Sequence, residues 1–418
     1  MVKKSLLGVV ALGATLLGGA VAVNPTYAAE EVTVCTSNCD YASIADAVSA
    51  VNTGAIAGKT IKLEENLSIP AQIIVKKDVV IDFNGKTVTS TAGAFDIQGG
   101  VTEFTGKGTL KSDSNGTLVW IMRNGVEAGK SVTFTLGKDI TLDSAEGWGI
   151  AVWKNSVKAS TVLNIDGVIK APEAGAITIN GNNSEANIVN INATADLSGD
   201  IGIYGAGNAT WNIVEGAKVT GVESALGIKA GTWNISGGEF KATGAFVDAV
   251  TGNNNGINAS GSAIQIEENE AYAGKVALNI LGGKFTSENG RAIYEYLADA
   301  DDKTILKDLN ISGGTFESPK GVKVSDQLLA KADELTGITG GTFEGGVIDE
   351  LIADGYELGS NGEIAKPVEE AKPGLGAPNT GAFTAEATSA KQDAAMIVLF
   401  ASTMTAVVLL GYALKSER

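Results

Sequence analysis

Apolar residues alternate with small or polar ones along most of this chain, in short runs that close on glycine or asparagine. Gly149-Ile150-Ala151-Val152, Ala176-Ile177-Thr178-Ile179, Ile201-Gly202-Ile203-Tyr204, Ala263-Ile264-Gln265-Ile266 and Ala292-Ile293-Tyr294 are examples. A period of two predicts strands with one buried face. A second phrase recurs between these runs: Leu163-Asn164-Ile165, Val189-Asn190-Ile191, Trp211-Asn212-Ile213, Trp233-Asn234-Ile235, Leu278-Asn279-Ile280 and Leu309-Asn310-Ile311. Its asparagines are spaced by 26, 22, 22, 45 and 31 residues, so one unit is iterated and the gap of 45 reads as two units. The later units add Gly-Gly-x-Phe, ending at Phe240, Phe285, Phe316 and Phe343.

Two or three strands of about three to five residues per unit suit neither a helical solenoid nor a propeller blade. They suit one coil of a parallel β-helix, in which equivalent strands stack and Val, Ile and Leu form interior ladders. Parity then assigns directions. Trp211 and Trp233 share the side of Ile213 and Ile235 and should be buried. The asparagines should face outward as an amide ladder. Trp153 breaks parity with Ile150 and Val152 and is the outward aromatic available to stack on a sugar.

Val34-Cys35 and Tyr41 to Val48, followed by Gly58 to Leu63 and Val79 to Val88, resemble the opening of pectin-lyase-like right-handed β-helix proteins. The similarity spans about residues 31–346. It implies an all-β fold, a right-handed parallel β-helix over residues 30–358, with a short N-terminal capping helix whose apolar face is Ala45, Ala47, Val48 and Val51. About ten to thirteen coils at roughly 4.8 Å each would make a rod of about 50 to 60 Å.

The two ends carry different signals. Lys3 and Lys4 precede an apolar stretch from Leu6 to Val23, and Thr26-Tyr27-Ala28 offers a cleavage site, so residues 1–28 read as a signal peptide, with an uncleaved anchor as the alternative. Cys35 and Cys39 then fall outside the cytosol, where a small disulfide loop is a better account than an under-coordinated zinc site. Residues 359–376 form a Pro/Glu/Lys linker. Residues 394–414 are apolar and long enough for a transmembrane helix across a hydrocarbon core of about 30 Å, and residues 415–418 form a basic cytoplasmic tail.

Ala377-Pro378-Asn379-Thr380-Gly381 ahead of that run resembles the LPxTG-type cell-wall sorting signal of monoderm bacteria, with Ala377 where leucine is usual. The resemblance implies cleavage between Thr380 and Gly381 by a sortase and transfer of Thr380 to peptidoglycan. Without that step the C-terminal helix itself holds the protein in the plasma membrane. Either way the body lies on the extracellular face.

Composition narrows the chemistry. Histidine is absent and the arginines are Arg123, Arg291 and Arg418, so a Ser-His-Asp relay and imidazole ligation are excluded. A net charge of -17 disfavours nucleic acid as a partner. Polygalacturonase-like and pectate-lyase-like residue sets are missing. Asp82, Asp96 and Asp166 are outward carboxylates that fit turns better than catalysis. Asp299, Asp301 and Asp302, with Glu267, Glu268 and Glu270, offer oxygen ligands for calcium. The expected function is a non-enzymatic adhesin that binds a glycan or a host surface protein. A lyase or hydrolase of acidic polysaccharide is the enzymatic alternative, and a passive coat protein the inert one.

Overall fold

A computed structural model describes residues 31–56, 60–122, 131–153, 160–180, 187–248, 256–268, 276–297 and 305–367. The segments read as a signal peptide, a sorting motif, an apolar C-terminal run and its tail lie outside the described residues, as do residues 368–376 of the linker. Among those described, no helix is long and apolar enough to cross a membrane.

Among the described residues 28 strands form one sheet in which every pairing is parallel. They stack in three columns, here called the first, second and third faces of a β-helix-like solenoid. The first face begins at Glu31–Val34 and Thr60–Leu63, passes through Thr161–Ile165, Asn187–Ile191, Ala209–Ile213, Gly231–Ile235 and Val276–Ile280, and ends in Leu306–Glu317 and Gly337–Glu344. The second runs from Leu67–Ile69 through Ile140–Ser144 and Glu239–Ala242 to the far halves of those same last strands. The third runs from Ile73–Val75 through Val119–Ile121, Ile150–Trp153 and Ser262–Glu267 to Ile293–Tyr296 and Val322–Lys323.

The repeated phrase is in register from coil to coil. Asn164, Asn190, Asn212, Asn234, Asn279 and Asn310 pair successively, and so do the isoleucines that follow them. Each isoleucine is at most 1% exposed, and burying one contributes about 1.5 to 3 kcal/mol. On the outside, the side-chain amide of Asn190 donates to Oδ1 of Asn164 at 2.8 Å, and Asn212, Asn234 and Asn279 repeat the bond to the preceding coil at 3.0 Å each. Trp211 and Trp233 are fully buried and stack at 4.6 Å.

The structure corrects three expectations. Asn234 pairs directly with Asn279, so the gap of 45 residues is one coil enlarged by excursions, not two coils. Strands reach 13 residues in Val168–Asn180 because the chain turns from the second face into the third without leaving the sheet. In the capping helix Ile44–Thr53, Ala45 is exposed while Ile44 and Ala50 join Ala47, Val48 and Val51 in the core.

Both ends of the solenoid are closed. Ser43 accepts the N–H of Asp46 at the start of the helix, and Gly54 ends it at φ 77°. Asn52 docks the helix on the third face, donating to the Ile74 carbonyl at 2.7 Å and accepting Lys76 N–H at 2.8 Å. Cys35 and Cys39 are joined by a disulfide. At the other end Leu328 is buried, and the antiparallel pair Glu357–Leu358 and Ile364–Ala365 brings Ile364 into the core, beyond residue 358. Such caps cover apolar interiors and strand edges that water would otherwise reach.

Candidate functional site: the outer third face

One outward row runs along the third face in register: Asp96, Trp120, Ala151, Thr178, Tyr204, Gly227, Gln265, Tyr294 and Lys323. A second outward row pairs Trp153 with Asn180 and Glu267 with Tyr296. Among the described residues, every aromatic side chain at an outward strand position lies on this face: Trp120, Trp153, Tyr204, Tyr294 and Tyr296. The outer first face carries the amide ladder, and the outer second face carries Thr, Lys, Asp and Glu.

The sequence identified Trp153, which is 36% exposed, and missed Trp120 and Trp148. Trp120 had the same signal, lying between the buried Val119 and Ile121. Trp148 sits just before Ile150–Trp153 and packs against Ile201, Tyr204, Ala206 and Ile257 in a second apolar cluster outside the solenoid core. Its ring is 6.2 Å from that of Tyr204. Residues 256–258 cross this part of the face. Tyr204 Oη accepts the N–H of Gly256 at 3.1 Å, and Ile257 occupies the space a side chain at Gly227 would need.

Towards the C-terminal coils the face carries Arg291, Lys320 and Lys323 among the carboxylates of Asp248, Glu295 and Asp326, and Lys323 pairs with Asp248 at 3.6 Å. A cleft of about 620 Å³ is lined by Tyr294, Tyr296, Lys323, Ser325, Asp326 and Gln327. Glu295 anchors its floor by accepting the N–H and hydroxyl of Ser325 at 3.0 and 2.7 Å. Beside it the Arg291 guanidinium lies 5.4 Å from the Phe246 ring and 5.8 Å from the Tyr294 ring, and Lys320 lies 4.5 Å from Phe246. Cations over aromatic faces hold both groups in place.

The carboxylates proposed for chemistry are otherwise engaged. Asp82 accepts the Asn84 N–H at 2.8 Å and shapes its own turn, and Asp166 accepts the Asn192 amide of the next coil at 2.9 Å. Asp96 faces outward but is fully buried, accepting the Gln98 amide at 2.8 Å. Glu267 is also buried and hydrogen-bonded, which removes it from the acidic loop set. Asp299, Asp301, Asp302, Glu270 and Arg123 lie outside the described residues. Among those described, no group of three or more His, Cys, Asp or Glu is placed to hold a metal ion.

Where the second face turns into the third, Glu173, Asp200 and Glu223 follow one another. Burial, then the neighbouring Asp200, pushes the Glu223 carboxyl up to about 7, and burial and Glu173 raise Asp200. A raised carboxyl favours the fold in its protonated form. That contribution is fully present below 4.5, the ordinary value, and is lost as pH rises through about 7. The melting temperature should therefore fall between pH 5 and pH 8, and Glu223→Gln should flatten the profile. Because the group is half-exposed, the shift amounts to about one or two degrees. An unchanged profile in that variant would place the titration elsewhere.

No protein-family profile, curated protein or solved structure matches the chain.

Proposed function

We propose that this chain is an exported, envelope-anchored, right-handed β-helix protein whose outer third face binds a glycan or host surface protein as a non-enzymatic adhesin. The confinement of outward strand aromatics to one face carries the reading. Of these rings Trp120, Trp153 and Tyr296 reach the surface while Tyr204 and Tyr294 are covered, and flat exposed rings on a rigid sheet suit a saccharide, each stack contributing about 0.5 to 1.5 kcal/mol. Arg291 and Lys320 at the Phe246 ring, beside the Lys323–Asp248 pair, give an acidic ligand cations to approach within a chain of charge -17. Binding is favoured over cleavage of a polyuronate because Asp82, Asp96 and Asp166 are committed to a turn, a buried hydrogen bond and a hydrogen bond between coils.

A glycan array probed with residues 30–367, which keep the closing pair at Ile364, tests this. Replacing Trp120 and Trp153 together by alanine should weaken the best ligand about 5- to 140-fold, from two stacks at tenfold per 1.4 kcal/mol. Unchanged binding in the double variant, or no ligand at all, would leave a passive coat protein.

The signal peptide and the order of motif, apolar run and basic tail support attachment to peptidoglycan through Thr380 by a sortase, in a monoderm bacterium. Thr380→Ala should move the protein from the wall fraction to the membrane fraction. An unchanged distribution would show that no sortase acts.

A further inference from the structure

Ile228 pairs with Ile266 on the third face, which sets Lys229 beside Glu267 on the outer side. An outward lysine normally reaches water, yet Lys229 and Glu267 are each 1% exposed, and Asn258 lies against Glu267 from the crossing stretch. Lys229 Nζ is 3.6 Å from Oε1 of Glu267. The side-chain amide of Asn258 donates to that same oxygen at 2.9 Å, and the Asn258 backbone N–H donates to Oε2 at 2.8 Å. Gln265 adds a third donor, to Oε2 at 3.0 Å. One carboxylate oxygen thus contacts both an amine and a carboxamide, with Lys229 and Glu267 buried and Asn258 half-buried above them.

Burial lowers the proton affinity of Lys229, against the opposing pull of Glu267 and Glu268. An ion pair this deep has little net worth. Its alternative, a neutral amine beside a protonated carboxyl, is the nucleophilic form.

The geometry points to an intramolecular isopeptide bond between Lys229 Nζ and Asn258 Cγ, formed with Glu267 as the proton relay. The ammonium gives one proton to Glu267, and the amine attacks Asn258 Cγ. The Nζ–Cγ bond forms as the Cγ–Nδ2 bond breaks. A second proton leaves Nζ and, with the one held by Glu267, goes to the departing nitrogen. Ammonium leaves, Glu267 ends as the carboxylate it began as, and no oxidant or cofactor is consumed. The bond closes the chain between residues 229 and 258 and fastens the cover of the third face to its coil, whatever ligand that face takes. Closing such a loop restricts the unfolded chain and stabilises the fold.

Intact mass spectrometry of the full chain, with its N-terminus sequenced, should give a mass one ammonia below that of the sequence. Trypsin should fail to cut after Lys229, so that residues 219–241 and 242–275 appear as one branched species. Glu267→Gln should restore both the full mass and the cut. Asn258→Ala, which removes the electrophile from the covering stretch and leaves the buried pair in place, should do the same even where Glu267→Gln does not fold. A wild-type chain of full mass that is cut at Lys229 overturns the bond. So does an ammonia loss with Lys229 still cut, which would mark a succinimide at an Asn-Gly pair such as Asn255-Gly256. A bond that persists in Glu267→Gln overturns the relay.

Discussion

Phe285→Ala is expected to unfold the C-terminal coils well before the N-terminal ones. Phe285 is fully buried between Phe240 at 4.6 Å and Phe316 at 4.8 Å, with ring planes within 8° of parallel, and Phe343 continues the column at 4.4 Å from Phe316. A parallel ladder spaces its strands at about 4.8 Å, so the vacated ring leaves a gap that the flanking rings cannot close without breaking the hydrogen bonds that set the spacing. The cost is about 3 to 5 kcal/mol for a Phe→Ala change in a site that cannot collapse, with stacking lost on two sides. Phe343 has one stacked neighbour, and Phe343→Ala should cost less. In a solenoid, stability is approximately a sum over coils and their nearest-neighbour interfaces, so the loss stays local. Hydrogen exchange should show Lys284–Ser287, Leu306–Glu317 and Gly337–Glu344 losing protection while Gly100–Thr105 and Val132–Leu136 keep theirs. Uniform loss along the chain would show that the coils melt as one unit.

That column was legible because a parallel, in-register stack places equivalent residues of successive coils against one another. Repeats of Asn-Ile and Gly-Gly-x-Phe at matching positions therefore announce ladders from the order of residues alone. The geometry explains the glycines: Gly238, Gly283, Gly314 and Gly341 all adopt φ between 103° and 106°, where a side chain is strained. A Cβ on Gly237, Gly282, Gly313 or Gly340 would press on backbone or side-chain atoms one coil back. Parity found Trp153, and applied equally to Val119-Trp120-Ile121 it finds Trp120.

Parity cannot say what covers an outward residue. Tyr204 and Tyr294 point away from the core and are still only 3% and 1% exposed. Lys229 and Glu267 have the strand positions of solvent-facing charges, but both are buried and Asn258 of the excursion lies against Glu267. Excursions have no period, so the gap of 45 residues reads in the sequence as two units where the structure has one coil.

Gly221→Ala should destabilise the fold by about 3 kcal/mol or more, although it adds one methyl group. Lys218–Ile228 passes from the second face into the third as one unbroken strand, so the corner must close within residues 221–224. A Cβ on Gly221 would overlap the Ser224 carbonyl group and lie 2.9 Å from Gly202 N. The interior position itself tolerates a methyl. Ala171, Gly199, Gly221 and Ala242 occupy it in successive coils, and Ala171 and Ala242 are fully buried.

The Ser224 carbonyl is therefore what forbids a side chain at Gly221. Relieving the clash requires opening the corner, which strains the bonds from Thr243 N–H to the Gly221 carbonyl at 3.0 Å and from Gly261 N–H to the Glu223 carbonyl at 2.8 Å. Overpacking costs about 1 to 3 kcal/mol, and each hydrogen bond lost adds about 1 kcal/mol. A melting temperature within a degree of wild type would show that the corner has slack. The same strand carries Leu226 and Ile228 inward on the third face and Gly227 beneath Ile257. Displacing it should therefore loosen the cover at Ile257 and the adjoining coils while Trp120 and Trp153, several coils back, keep their protection, because coupling in a solenoid runs between neighbouring coils.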